Sequence, residues 1–182
     1  IRSRRLGNSL GVNLLPKEGK ICTFNCVYCE CGWNPEHRDV NAQLPTTVEY
    51  EATLEKALRE LAGTPREPDS ITFSGNGEPT LHPQFPEIID ITARLRDKYA
   101  PKAVISVLTN GTRIHDERVF NALRKVDNNI CKLDGGTIGT INKINLPNVK
   151  IDMDKYIKDL QRFEGQVIIQ TLFIRGEHEG QR

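Results

Sequence analysis

Within the segment ICTFNCVYCECG, Cys22, Cys26 and Cys29 stand at C-x3-C-x2-C spacing, and this limits the fold more than any other feature of the chain. A loop carrying three thiols has to be held at the end of an element, facing a group those thiols can share. Three thiolates at this rhythm can occupy three corners of a cubane iron–sulfur cluster, where a ferredoxin supplies a fourth for plain electron transfer. The missing ligand leaves one iron open to a small molecule, and an open position separates a catalytic metal site from a structural one. Cys31 follows closely, so a four-thiolate site holding zinc or a cluster stays open as an alternative, as does a redox thiol. Structural zinc usually takes two well-separated pairs, and thiols crowded between Cys22 and Cys31 close a tetrahedron awkwardly. Cys131 lies in the apolar stretch ICKLD and reads as a buried strand residue behaving as a small hydrophobe.

The rest of the chain alternates short β-branched runs with helical periodicity. Strands are expected at Leu10 to Leu15, Ser70 to Phe73, Ala103 to Leu108, Ile130 to Leu133 and Val167 to Ile174. Helices are expected at Thr47 to Leu61, with Leu54, Leu58 and Leu61 on one side, and at Phe85 to Tyr99, with Ile88, Ile91 and Leu95 on one face. Two more are expected, around Asp116 to Arg124 and from Asp154 to Phe163. Alternation of this kind predicts an α/β fold of parallel strands covered by helices on one side. Such sheets keep their chemistry in the loops after the C-terminal ends of the strands. The cysteine loop falls there, and so do two turns: SGNGEP, spanning Ser74 to Pro79, and TNG, spanning Thr109 to Gly111.

With these turns in place the sequence resembles the radical S-adenosylmethionine (radical SAM) superfamily. The matching residues are the C-x3-C-x2-C cysteines with Tyr28 directly before the third, a glycine–glutamate turn with Asn76 inserted to give GNGEP, and the TNG turn. The wording LGVNLLPKEGKICTFNCVYCECG with SGNGEPTLHP is most similar to the Fe–S oxidoreductase branch related to wyosine-base, tRNA-modifying enzymes. The resemblance implies a partial TIM-type barrel, (βα)6-like with parallel strands. The chain stops soon after its fifth strand, so the expectation is one core domain over residues 1–182, truncated before a sixth strand.

The resemblance also implies a [4Fe–4S] cluster on Cys22, Cys26 and Cys29, with S-adenosylmethionine chelating the open iron. Reductive cleavage would give a 5′-deoxyadenosyl radical that abstracts hydrogen from a substrate. Cofactor contacts are expected from Tyr28 beside the adenine, from Gly75, Asn76 and Gly77 where backbone approaches the ligand, and from Glu78 as acceptor for the methionyl ammonium. Asn110, Asp134 (toward a ribose hydroxyl) and Thr171 complete that set, with Gln170 and Arg175 as further candidates. Each has a plainer reading: Glu78 as a helix cap, Asn110 as a turn former, Asp134 as a solvated strand end, Tyr28 as a core aromatic under the loop. No residue is assigned as the catalytic group. His82 is expected to satisfy local backbone, Cys31 to be a spectator thiol, and His37 and Trp33 have no partner legible in sequence.

Composition narrows the setting. The net charge of +1 announces no polyanion partner, and the basic residues Arg2, Arg4, Arg5, Lys17 and Lys20 make a small surface for a tRNA, although tRNA stays among the substrates considered. No apolar run is long enough to span a membrane and no signal peptide is visible, so a membrane is not expected. Five cysteines, odd in number and mostly clustered, do not make a disulfide scaffold, and a reducing cytoplasm fits. The expected partner is a flavodoxin- or ferredoxin-like electron donor. A glycyl-radical-enzyme activating enzyme is the second reading, and a non-catalytic electron-transfer or zinc module the third.

Overall fold

A computed structural model describes residues 2–3, 6–35 and 43–175; Arg4, Arg5 and His37 lie outside the described residues. Strands run at β1 Arg2–Ser3, β2 Gly7–Val12, β3 Ser70–Phe73, β4 Val104–Thr109, β5 Asn128–Lys132 and β6 Ile168–Gln170. Helices run at α1 Thr47–Leu61, α2 Phe85–Tyr99, α3 Glu117–Leu123, α4 Ile138–Ile144 and α5 Met153–Gln161, with a 3-10 turn at Pro79–Leu81. The sheet order is β1-β2-β3-β4-β5-β6. β1 pairs antiparallel with β2, and β2 to β6 are parallel throughout. Sequential parallel order with every crossover advancing one strand puts the helices on one face, because crossovers share one hand. The result is an open, partial TIM-type sheet that does not close into a barrel.

The two faces of the sheet differ chemically. Ile71, Phe73, Ile105 and Val107 share one face and pack with Leu54, Leu58, Ile88, Ile89 and Leu95 of α1 and α2 in a single apolar core. On the opposite face, Ser9 donates to Thr72 at 2.8 Å, Ser70 lies 3.0 Å from Ser106, and Asn128 donates to Ser106 at 3.0 Å. Parallel strands usually read as near-continuous apolar runs. Here the hydroxyls bond to one another, which removes the penalty for burying them.

The helix starts follow capping chemistry. Thr46 and Glu49 form a reciprocal capping box on α1, while Asp116, Thr137 and Asp152 cap α3, α4 and α5. The sequence expectations shift in several places. The first strand spans Gly7–Val12 instead of Leu10 to Leu15, because the Asn13 side chain bonds Leu15 N at 3.1 Å and Leu15 O at 2.9 Å and turns the chain early. The fourth strand begins two residues before Ile130, and the last is cut from Val167–Ile174 to Ile168–Gln170. Its ladder ends because Leu172 N donates at 2.9 Å to the Asp134 carboxylate. Leu61 and Ile91 sit at the margins of their helical faces, whereas Tyr50 and Phe85 are buried. Helix α4 and strand β1 were not expected from sequence.

His82 closes the 3-10 turn. Its Nδ1 accepts from Gln84 N at 3.1 Å, which leaves Nε2–H to donate to Pro45 O at 3.0 Å. Burial therefore holds its pKa below the ordinary 6.5, although the bond to Pro45 opposes this. A neutral-preferring histidine contributes stability above pH 6.5 that is lost as pH falls through its lowered value. The melting midpoint of the wild type is expected to fall more steeply between neutral pH and mildly acid pH than that of His82→Gln; parallel curves would contradict this.

Candidate functional site

The cysteine loop leaves β2 and is tied on three sides. A parallel bridge joins Ile21 to Gly77, made by Ile21 N to Asn76 O at 2.9 Å and Glu78 N to Ile21 O at 2.9 Å. A second, antiparallel bridge joins Phe24 to Pro147, flanked by Asn25 N to Asn145 O at 2.9 Å and Val27 N to Ile144 O at 2.9 Å. The third tie comes from the TNG turn, where Asn110 Nδ2 donates to Thr23 Oγ1 at 2.7 Å. Asn34 then folds the loop on itself, its Oδ1 accepting from Cys22 N at 2.8 Å.

Each of the three sulfurs accepts an N–H from a different part of this frame. Cys22 Sγ takes Phe24 N at 3.4 Å and Asn110 Nδ2 at 3.5 Å, Cys26 Sγ takes Asn145 Nδ2 at 3.3 Å, and Cys29 Sγ takes Lys20 Nζ at 3.3 Å. Donors aimed at sulfur are what stabilise thiolate ligands and tune the metal they hold. Burial pushes the Cys22 thiol up to about 11, so anionic sulfur there requires a cation's help. Among the described residues, no group of His, Cys, Asp or Glu side chains gathers tightly enough for a single metal ion. Cys31 is exposed and donates to Gly75 O at 3.2 Å. An open cavity of about 380 Å3 borders it, lined by Lys17, Trp33 and Asn76 among others.

The glycine turn is built for contact with the cysteine loop. At Gly77, φ is +138°, and a Cβ there would fall 1.8 Å from the Ile21 carbonyl oxygen. The close approach that requires glycine is therefore to Ile21. At Gly75, φ is +149° and a Cβ would meet the Asn13 side chain. The inserted Asn76 does not widen the turn idly: its Nδ2 donates to Pro16 O at 3.1 Å and Lys17 O at 3.2 Å, fastening the segment ahead of the cysteines.

Glu78 is fully buried, and its carboxylate collects donors from inside the protein. Oε1 accepts from Thr80 N at 3.1 Å, Thr80 Oγ1 at 2.5 Å and Thr109 Oγ1 at 2.7 Å, and Oε2 from Asn110 N at 2.6 Å. The capping reading of Glu78 is thus realised, since it caps the 3-10 turn. Burial raises its pKa and these donors pull it back. Asn110 is more than a turn former: its Oδ1 takes Thr112 N at 3.1 Å and its carbonyl takes Tyr156 OH at 2.9 Å.

Asp134 does not end β5 in solvent. Its carboxylate accepts from Tyr28 OH, from Asn145 Nδ2 at 2.6 Å and from Leu172 N at 2.9 Å, with Lys132 Nζ at 3.7 Å. These bonds draw Asp134 inward. Tyr28 is half-buried and lies under Lys132, whose Nζ is 4.8 Å from the ring centroid; burial and the Asp134 bond push its hydroxyl pKa far up. Thr171 is exposed and donates to Leu133 O at 2.7 Å. Gln170 ends β6, Arg175 is exposed beyond it, and Cys131 is in the core as expected. The structure thus joins the cysteines, Tyr28, Asp134, Glu78 and Asn110 into one network and leaves Thr171 at its edge. Sequence reasoning missed Asn145, whose amide reaches Cys26, 119 residues earlier in the chain, and also Asp134, and it missed the role of Lys20.

A model of the radical SAM superfamily matches residues 19–135, more than half of the chain, from the cysteine segment through β5. The chain belongs to the radical SAM superfamily. Radical SAM enzymes use a [4Fe–4S] cluster and S-adenosylmethionine, and the thiol set with its N–H donors fits such a cluster. By sequence this radical SAM chain is similar to a UPF0026 protein of Synechocystis, 35% identical over 184 residues, which cover 96% of this chain and 63% of that protein. It is also similar to part of a protein named GTPase Obg from Brachyspira hyodysenteriae, 32% identical over 161 residues, 88% of this chain and 22% of that protein. The chain thus spans less than two thirds of the length of these relatives. Among solved structures, native anSMEcpe with bound AdoMet shares the fold, with a TM-score of 0.62 and 22% identity over 90% of this chain and 42% of that one.

Proposed function

We propose that this radical SAM chain binds its cluster through Cys22, Cys26 and Cys29 and cleaves S-adenosylmethionine reductively, to abstract hydrogen from a substrate not yet identified. The observation that carries the reading is the set of side-chain N–H donors, from Lys20, Asn110 and Asn145, on the three sulfurs. When bound, the reduced cluster and S-adenosylmethionine supply one-electron cleavage of a sulfonium C–S bond, giving a 5′-deoxyadenosyl radical. The protein's part is to hold the thiols in place and keep the loop joined to the glycine turn. Cofactor contacts are proposed for Tyr28, Gly75, Asn76, Gly77, Glu78, Asn110, Asp134 and Thr171. For Glu78 and Asp134 a direct contact requires sharing a carboxylate already engaged by protein donors.

A low-potential electron donor, flavodoxin- or ferredoxin-like, is the proposed partner, and among the described residues no helix is long and apolar enough to cross a membrane. The tRNA-modifying branch remains the proposed direction for substrate, supported by the wording of the cysteine segment. Anaerobic incubation of reconstituted protein with dithionite and S-adenosylmethionine is expected to release 5′-deoxyadenosine. A loaded protein that forms none would count against the proposal.

A further inference from the structure

Lys20 is 4% exposed, and its Nζ donates to Cys29 Sγ at 3.3 Å and to Gly32 O at 3.0 Å. Lysines are almost never this buried unless an anion accompanies them. Among the described residues no Asp or Glu forms an ion pair with Lys20. Its polar neighbours are a carbonyl and a sulfur. A thiolate bound to a cluster is a far better acceptor for an ammonium than a thiol, so the buried contact from Lys20 matches Cys29 in the role of a cluster ligand. The other two sulfurs receive neutral donors, an asparagine amide on each and a backbone N–H on Cys22. The only charged donor in direct contact with one of the three sulfurs, among the described residues, is thus at the Cys29 corner.

Resting on the reading of the three cysteines as cluster ligands, we propose that Lys20 is a positioning residue that holds the Cys29 corner and raises the cluster's reduction potential. Reduction adds one electron, delivered by a low-potential one-electron donor, and adds no proton. A cation beside a ligand sulfur favours the more negative, reduced state, and hydrogen bonding to the sulfur acts in the same direction. The lysine also closes the loop by reaching Gly32, which fixes the distance at which its charge acts.

The test is an anaerobic potentiometric titration, followed by electron paramagnetic resonance, of the reconstituted full chain. Wild type is compared with Lys20→Met, Lys20→Gln and Lys20→Arg, with the exposed Lys17→Met as control for loop charge. Lys20→Met is expected to be roughly tenfold harder to reduce, a midpoint about 59 mV more negative for a one-electron couple. Lys20→Arg and Lys17→Met should stay near wild type. If the methionine variant does not load iron, the glutamine variant is read in its place. Iron loading lost in both neutral variants and kept with arginine would support the charge role. A midpoint unchanged in the neutral variants, an equal shift with arginine, or loading lost in all three Lys20 variants would overturn it. Wild-type protein that takes up no cluster would overturn the reading of the cysteines as well, whereas a loaded wild type with indifferent variants overturns the Lys20 proposal alone.

Discussion

Gly77→Ala is expected to destabilise the protein by about 4 kcal/mol or more and to abolish iron loading. Two effects act together. The residue sits at φ +138°, which L side chains rarely adopt, and its Cβ would lie 1.8 Å from the Ile21 carbonyl oxygen. The obstructing atom is backbone, so no rotamer change relieves the contact. Relief requires separating the two segments, which breaks the bonds from Ile21 N to Asn76 O and from Glu78 N to Ile21 O. That bridge joins the glycine turn to the residue immediately before Cys22. Urea denaturation would report the loss of stability, and iron per chain after reconstitution the loss of the site. Near-wild-type values for both would show that the bridge is dispensable.

The second large effect is expected at Glu78, with a defined order of severity. Glu78→Ala strips the acceptor from Thr80 N, Thr109 Oγ1 and Asn110 N in a fully buried position. Each buried donor left without a partner costs about 1–3 kcal/mol, so a loss of about 4 kcal/mol is expected, a large fraction of a typical domain's stability. Glu78→Gln keeps the shape and one acceptor oxygen, and it sets an amide N–H2 against one backbone donor. Its cost should be about half as great. The disturbance should reach the cysteines through Asn110, which contacts Cys22 Sγ at 3.5 Å and Thr23 Oγ1 at 2.7 Å. Iron affinity is therefore expected to fall in the same order, Ala before Gln. Equal stability for the two variants would mean that Glu78 is held by volume and not by its donors.

Both predictions concern a frame that was only partly legible in the sequence. The strands, the paired helices α1 and α2 and the turns after β3 and β4 could be read because their signals are local. β-branched runs, apolar spacing of three and four, and Asn-Gly or glycine–glutamate turns each act within a few residues. The thiol spacing was legible for the same reason. What escaped depends on contacts between distant segments. Asn145 caps a short helix whose periodicity is too brief to register, yet its amide reaches Cys26 and Asp134. Lys20 read as loop charge, because nothing in its neighbourhood foretells a buried ammonium on sulfur. For Asp134 the sequence offers a ribose contact or, more plainly, a solvated strand end; its inward turn comes from Tyr28, more than 100 residues earlier, and from Leu172. For Gly77 the sequence suggests backbone approach to a ligand, and nothing local foretells that it also accommodates the backbone of Ile21.

The most direct measurement is anaerobic electron paramagnetic resonance of the reconstituted, dithionite-reduced protein, with and without S-adenosylmethionine. The account predicts a reduced [4Fe–4S] signal whose g-values shift when S-adenosylmethionine is added, as an iron left open by the three ligands Cys22, Cys26 and Cys29 requires. A signal indifferent to S-adenosylmethionine, or stoichiometric zinc in place of any cluster, would contradict it.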